Sequence, residues 1–117
     1  MKLEVGMYVR FYNGDFGKVA NYEYREEYVN GHIIHLENDD IGLCCEEKDF
    51  KASNNIIDLI EVGDIITYEF PTGLGMLKYE NVTVLEDLLN ILKSSNEYKI
   101  LSIITHEQIE SMQYKVD

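Results

Sequence analysis

A chain of 117 residues with 22 acidic and ten basic side chains carries a formal net charge of −12, and 45% of it is hydrophobic. That apolar fraction excludes a disordered acidic tail, and the charge repels phosphate, which argues against direct binding to nucleic acid. No apolar run approaches the roughly 18–20 residues that cross a bilayer as a helix, so no membrane partner is expected.

The first predicted element follows a phrase that the chain uses twice. Leu3-Glu4-Val5-Gly6-Met7-Tyr8-Val9 returns 57 residues later as Ile60-Glu61-Val62-Gly63-Asp64-Ile65-Ile66. Each copy is an apolar, acidic, Val-Gly turn feeding a β-rich run, as at the start of the first long strand of many SH3-like barrels. A repeat at that spacing predicts two modules of about 55 residues each. The boundaries are residues 1–58 and 59–117, with one compact domain as the alternative. Modules this small bury little surface alone, so they are expected to pack on each other. The expected fold class is β-rich α+β, mainly β: two small SH3-like barrel modules with one or two short helices. Nine Tyr, one Pro and no Trp suit β structure. Nothing at Met1-Lys2-Leu3-Glu4 resembles a signal-peptide h-region, and the expected location is the cytoplasm.

In the first module a strand from Val5 to Phe11 should stop at Tyr12-Asn13-Gly14-Asp15, because Asn-Gly between β-rich runs is a strong hairpin signal. A second strand follows from Phe16 to Tyr24. The tract Tyr22-Glu23-Tyr24-Arg25-Glu26-Glu27-Tyr28 alternates Tyr with charge before an Asn30-Gly31 turn. A third strand covers His32 to Leu36, Asn38-Asp39-Asp40 turns the chain, and a fourth covers Ile41 to Cys45. Glu46-Glu47-Lys48-Asp49 reads as a solvated loop. The segment from Phe50 to Ile60 closes the first core and carries the chain into the second module.

The second module opens with a strand from Asp64 to Phe70, then a wide turn at Pro71-Thr72-Gly73-Leu74-Gly75, then a strand from Met76 to Val84. Leu85, Leu88, Leu89 and Leu92 recur at helical spacing. An irregular strand is the competing reading there, since Val82-Thr83-Val84 runs straight into it. Tyr98 to Ile104 is a further strand. Thr105-His106-Glu107-Gln108 fits a capping box, in which Thr and Gln serve each other's orphan N–H groups. A two-turn helix through Met112 follows, with Tyr114-Lys115-Val116 as an edge strand.

Three tracts carry a resemblance. They are Glu4-Val5-Gly6-Met7-Tyr8-Val9-Arg10, the run from Lys51-Ala52-Ser53 through Ile56-Ile57-Asp58-Leu59 to Asp64, and the run from Thr105-His106-Glu107-Gln108 to Val116. Together they resemble a family of small uncharacterised proteins of prophages and mobile elements in Gram-positive bacteria. Residues 15–48 and 69–98 fall outside the likeness. The resemblance carries no activity; it implies a phage or mobile-element setting in a bacterial host cytoplasm, where small acidic proteins block host defences. It also implies a shared scaffold with divergent surfaces.

Motifs for chemistry are weak. His32, His35, Cys44 and Cys45 contain zinc-capable groups, but His32 and His35 point to opposite faces of a strand and adjacent cysteines diverge. The adjacent cysteines do not form a redox motif either. Asn38-Asp39-Asp40 lacks calcium-loop spacing, and Gly73-Leu74-Gly75 lacks the rest of any nucleotide fingerprint. No nucleophile has an evident His partner. No enzyme, no cofactor and no metal are expected.

The candidate binding residues are Tyr22, Glu23, Tyr24, Glu26, Glu27 and Tyr28, with Glu46, Glu47 and Asp49 in the facing loop. Tyr offers rigid contact area with a polar tip, and interleaved carboxylates can pair with Lys or Arg spaced to grip a nucleic-acid backbone. A solvated hairpin edge that discourages aggregation is the structural alternative. The acidic excess is shared evenly between the halves, with 12 acidic against six basic groups in residues 1–58 and ten against four in 59–117. The expected function is non-enzymatic: inhibition of a bacterial defence protein, such as a nucleic-acid-handling CRISPR effector, through an acidic surface. The alternatives are an oligomeric sponge for a signalling nucleotide, needing Lys18, Arg25 or Lys51 to converge, and a structural or accessory phage module.

Overall fold

A computed structural model of the protein is mainly β, with two antiparallel sheets and two α-helices. It describes residues 3–26, 31–37, 43–45 (backbone only) and 49–112. The chain divides into two compact units, residues 1–59 and 60–117.

The first unit is a five-stranded sheet. Strands β1 (Tyr8–Phe11), β2 (Phe16–Tyr24), β3 (His32–Leu36), β4 (Leu43–Cys45) and β5 (Phe50–Ser53) lie in the order β4-β3-β2-β1-β5. The period-2 alternation of strands sends Val9, Phe11, Val19, Ile34, Leu36 and Phe50 inward, and Leu3 joins them in the core. Each such side chain contributes about 1.5–3 kcal/mol by leaving water. An irregularity between Val19 and Asn21 splits the work of β2: Phe16 to Lys18 pair with β1, and Asn21 to Tyr24 pair with β3. Gly17 permits the close packing there, because a Cβ at this position would lie 2.8 Å from Leu36 Cδ1.

The Asn13-Gly14 turn is a four-residue loop, in which only Gly14 has positive φ (97°) and its N–H donates to Phe11 O at 2.9 Å. Phe50–Ser53, read from sequence as part of a connecting segment, is a strand. It pairs with β1, setting Phe50 opposite Phe11. A 3-10 turn at Ile56–Leu59 comes next and buries Ile57 and Leu59. The sheet curls until His32 on β3 meets the ring of Phe50 on β5 edge-on at 5.4 Å. Among the described residues, however, no β4–β5 ladder closes it into a barrel.

The second unit is built differently. Strands β6 (Ile65–Thr72), β7 (Gly75–Thr83) and β8 (Lys99–Ile104) form a three-stranded sheet in the order β7-β6-β8, with helices α1 (Glu86–Ser94) and α2 (His106–Met112). It is not a second five-stranded meander, because the leucine spacing of α1 and the capping box of α2 place helices where strands would repeat. In α1, Leu92 is fully buried and Leu88 and Leu89 are half-buried, whereas Leu85 stands outside the helix, 64% exposed. Glu86 and Asp87 in its first turn and Lys93 in its last complement the helix dipole. The expected wide turn at 71–75 is tight: Pro71 and Thr72 stay in the ladder, Thr72 pairs with Gly75, and only Gly73 and Leu74 form the loop. Opposite Thr67 the register shifts, with Asn81 at φ 52° donating its N–H to the Thr67 hydroxyl at 3.1 Å.

Candidate functional site

The two copies of the repeated phrase build the same turn. Met7 N–H donates to Glu4 O at 3.2 Å in the first copy, and Asp64 N–H donates to Glu61 O at 3.2 Å in the second. The glycine between has positive φ in both, 94° at Gly6 and 100° at Gly63, as the third residue of such a turn requires. Each glycine then donates its N–H at 2.9 Å to a fully buried valine, Val19 or Val84. The valine N–H returns to the carbonyl of Met7 (2.8 Å) or Asp64 (2.7 Å). Even the side-chain bond recurs: Met7 Sδ accepts from Glu4 N–H at 3.3 Å where Asp64 Oδ2 accepts from Glu61 N–H at 2.7 Å.

The copies differ in what the last residue of the turn reaches. Asp64 is fully buried, and its second oxygen, Oδ1, accepts the His106 N–H at 2.9 Å, tying the turn to the start of α2. Thr105 and Gln108 cap that helix reciprocally. The Gln108 N–H donates to Thr105 Oγ1 (3.3 Å), and the Thr105 N–H donates to Gln108 Oε1 (3.1 Å). The capping box is therefore formed as its residues predict.

Around the His106 ring the structure gathers carboxylates. Glu61 Oε1 lies 2.9 Å and Glu107 Oε1 3.3 Å from Nε2, and Glu110 Oε1 lies 3.8 Å from Nδ1. The ring is about a third exposed. Gly63 makes room for it, since a Cβ there would meet His106 Cβ at 3.3 Å. Sequence reasoning identifies His106 only as a member of the capping box. Its approach to Glu61 spans 45 residues and has no local signal.

The residues singled out from sequence are distributed unevenly. Tyr22 is half-buried and turned inward: its hydroxyl shares a hydrogen bond with His32 Nδ1 at 2.8 Å, and the rings stack at 5.8 Å. Tyr24 is 55% exposed, its ring lying against Gly31 and 4.9 Å from the His32 ring. Glu23 and Glu26 are exposed, and Glu23 pairs with Arg25 Nε at 2.7 Å. Asp49 is half-buried, and its backbone carbonyl accepts the Tyr12 N–H at 3.1 Å. Glu27, Tyr28, Glu46 and Glu47 lie outside the described residues. Of the zinc-capable set, His32 is buried among Tyr22, Tyr24 and Phe50 and stands opposite Cys45 in the β3–β4 ladder. His35 lies an odd number of residues from His32 and so takes the opposite face.

A second aromatic group, with no signal in the local sequence, lies on the other sheet. Tyr68, Phe70, Tyr79 and Tyr98 join ring to ring at 5.3–6.3 Å. Burial, and then the neighbouring Tyr79 and Tyr98 phenols, push the Tyr68 pKa above its ordinary value.

No helix among the described residues is long and apolar enough to cross a membrane. No protein-family model, no curated protein and no solved structure matches this chain.

Proposed function

We propose that the protein is a non-enzymatic binding protein that engages a basic partner through an acidic surface. Its target on this reading is a bacterial defence protein that itself handles nucleic acid, such as a CRISPR effector. The observation that carries the reading is the outer end of β2, where Tyr24 and Glu26 are exposed beside the exposed Glu23–Arg25 ion pair on a chain of net charge −12. Packing of the Tyr24 ring against Gly31 and His32 reduces its freedom before a partner arrives, so little side-chain entropy remains to be lost on binding. Acidic residues around an aromatic anchor suit Lys and Arg, and they speed encounter with a positively charged surface. The resemblance to prophage and mobile-element proteins supplies the biological setting. The order β4-β3-β2-β1-β5 and the curl that joins His32 to Phe50 support an SH3-like reading of the first unit.

The test is affinity capture from a Gram-positive host lysate with the whole tagged chain, washed at rising salt, beside a variant carrying Glu23→Gln, Tyr24→Ala and Glu26→Gln. The expected result is a basic, nucleic-acid-handling protein held by the parent, released by salt and lost by the variant. Retention unchanged between about 50 and 500 mM salt removes the electrostatic part of the reading. Equal capture by the triple variant removes the surface.

A further inference from the structure

We propose that Glu61, His106 and Glu107 form a binding site for a divalent transition-metal ion, with Nε2 of the imidazole and one oxygen of each carboxylate as ligands. The three ligand atoms all lie within 4.8 Å of one another. Nε2 sits 2.9 Å from the Glu61 oxygen and 3.3 Å from the Glu107 oxygen. Ligands held about 2.0–2.2 Å from one ion are separated from each other by roughly 2.9–3.5 Å, so both pairs match the spacing of atoms that share a metal.

The backbone beneath the ligands is tied down by hydrogen bonds. The buried Asp64 carboxylate holds the Glu61 N–H with one oxygen and the His106 N–H with the other, so two of the three ligand-bearing residues hang from one side chain. Glu107 follows His106 directly, in a helix start fixed by the Thr105–Gln108 capping box. The site works through side chains alone. The backbone N–H groups of His106, Gln108 and Ile109 are already donated to Asp64 and Thr105. One imidazole with two carboxylates suits Mn2+ or Zn2+, because nitrogen favours the later metals and carboxylate oxygen tolerates both. The ligands are between a fifth and two-fifths exposed, so an ion can reach them from solvent.

The experiment is calorimetric titration of the metal-stripped full chain with Zn2+ and with Mn2+, paired with NMR of the histidine ring protons under Mn2+. Removing even the groups that support a ligand weakens metal binding about 10–100-fold, so Glu61→Gln, Glu107→Gln and His106→Ala should each weaken it at least about tenfold. The expected result is saturable binding of one ion, loss in those variants, and selective paramagnetic broadening of the His106 ring over His35. The isosteric glutamine variants keep the backbone bonds, and thermal unfolding in the absence of metal confirms that they fold. Glu86→Gln with Asp87→Asn, on α1, should leave metal binding unchanged. The proposal is overturned if binding does not saturate, or if the α1 variant weakens it as much as Glu61→Gln does. Either outcome would mean diffuse attraction of cations to an acidic protein.

Discussion

Asp64 and His106, 42 residues apart, are joined by a hydrogen bond from the His106 N–H to a carboxylate with no solvent exposure. The other oxygen of that carboxylate accepts the Glu61 N–H at 2.7 Å. One side chain thus closes the turn before β6 and anchors the start of α2. A hydrogen bond to a charged acceptor is worth about 1.5–3 kcal/mol, so Asp64→Ala should cost about 3–6 kcal/mol by abandoning two donors in a buried setting. Asp64→Asn retains one acceptor oxygen and should fall between. Urea unfolding monitored by circular dichroism reads both, and a loss below about 1 kcal/mol for Asp64→Ala would contradict the bridging role.

The paired turns allow an internal comparison. Gly6 and Gly63 share a positive φ and the same backbone bonds, so a methyl group at either position meets the same conformational strain, about 1–2 kcal/mol. They differ in surroundings: nothing lies within 4 Å of a Cβ at Gly6, whereas one at Gly63 meets His106 Cβ at 3.3 Å. Gly63→Ala should therefore destabilise more than Gly6→Ala, and it should also displace the His106 ring, visible as a shift of its proton resonances. Equal losses in the two variants would show that contact with His106 costs nothing.

The features legible in the sequence are local ones. The span Phe16–Tyr24 reads as a strand because a β-rich run follows an Asn-Gly turn, and Thr105 and Gln108 read as a cap because a capping box is complete within four residues. Strand β5 escapes because Phe50 is its only buried residue, and its pairing with Tyr8–Phe11 depends on a contact some forty residues distant in the chain. Pro71 suggests a wide turn. It is tolerated in β6 because β8 pairs only as far as Glu69, which leaves that strand with one open side. The repeated phrase correctly marks two identical turns, but it holds no information on the elements beyond them, and the second unit continues with helices. Tyr22 and Tyr24 look alike in sequence and both rings meet His32; the Tyr22 hydroxyl bond to His32 Nδ1 and its deeper burial separate them. The His106 cluster is unreadable for the same reason as β5, since Glu61 and His106 meet through the fold.

That difference between the two tyrosines makes a prediction. Tyr22→Phe removes the hydroxyl bonded to His32 Nδ1 while keeping the stacked ring, and should cost about 0.5–1.5 kcal/mol of stability without weakening partner capture. Tyr24→Ala removes an exposed ring and should weaken capture by the larger factor. Denaturation midpoints and retention on the affinity column, measured on both variants, give the two readouts. The assignment fails if Tyr22→Phe loses the partner while Tyr24→Ala keeps it.

Tyr68 gives the pH dependence. It is 8% exposed, and burial, followed by the neighbouring Tyr79 and Tyr98 phenols, raises its pKa in the folded protein. The unfolded chain releases the phenol proton at the ordinary value of about 10, while the folded chain holds it to higher pH. Below that value both states are protonated and pH has no effect through this group. As pH rises beyond it the unfolded state alone ionises, so stability falls until the folded pKa is passed. Tyr68→Phe keeps the ring contacts with Phe70, Tyr79 and Tyr98 and removes the proton. Urea midpoints followed from about pH 8 to pH 11 should therefore decline less steeply in Tyr68→Phe than in the parent. Parallel curves would place the alkaline loss in other groups.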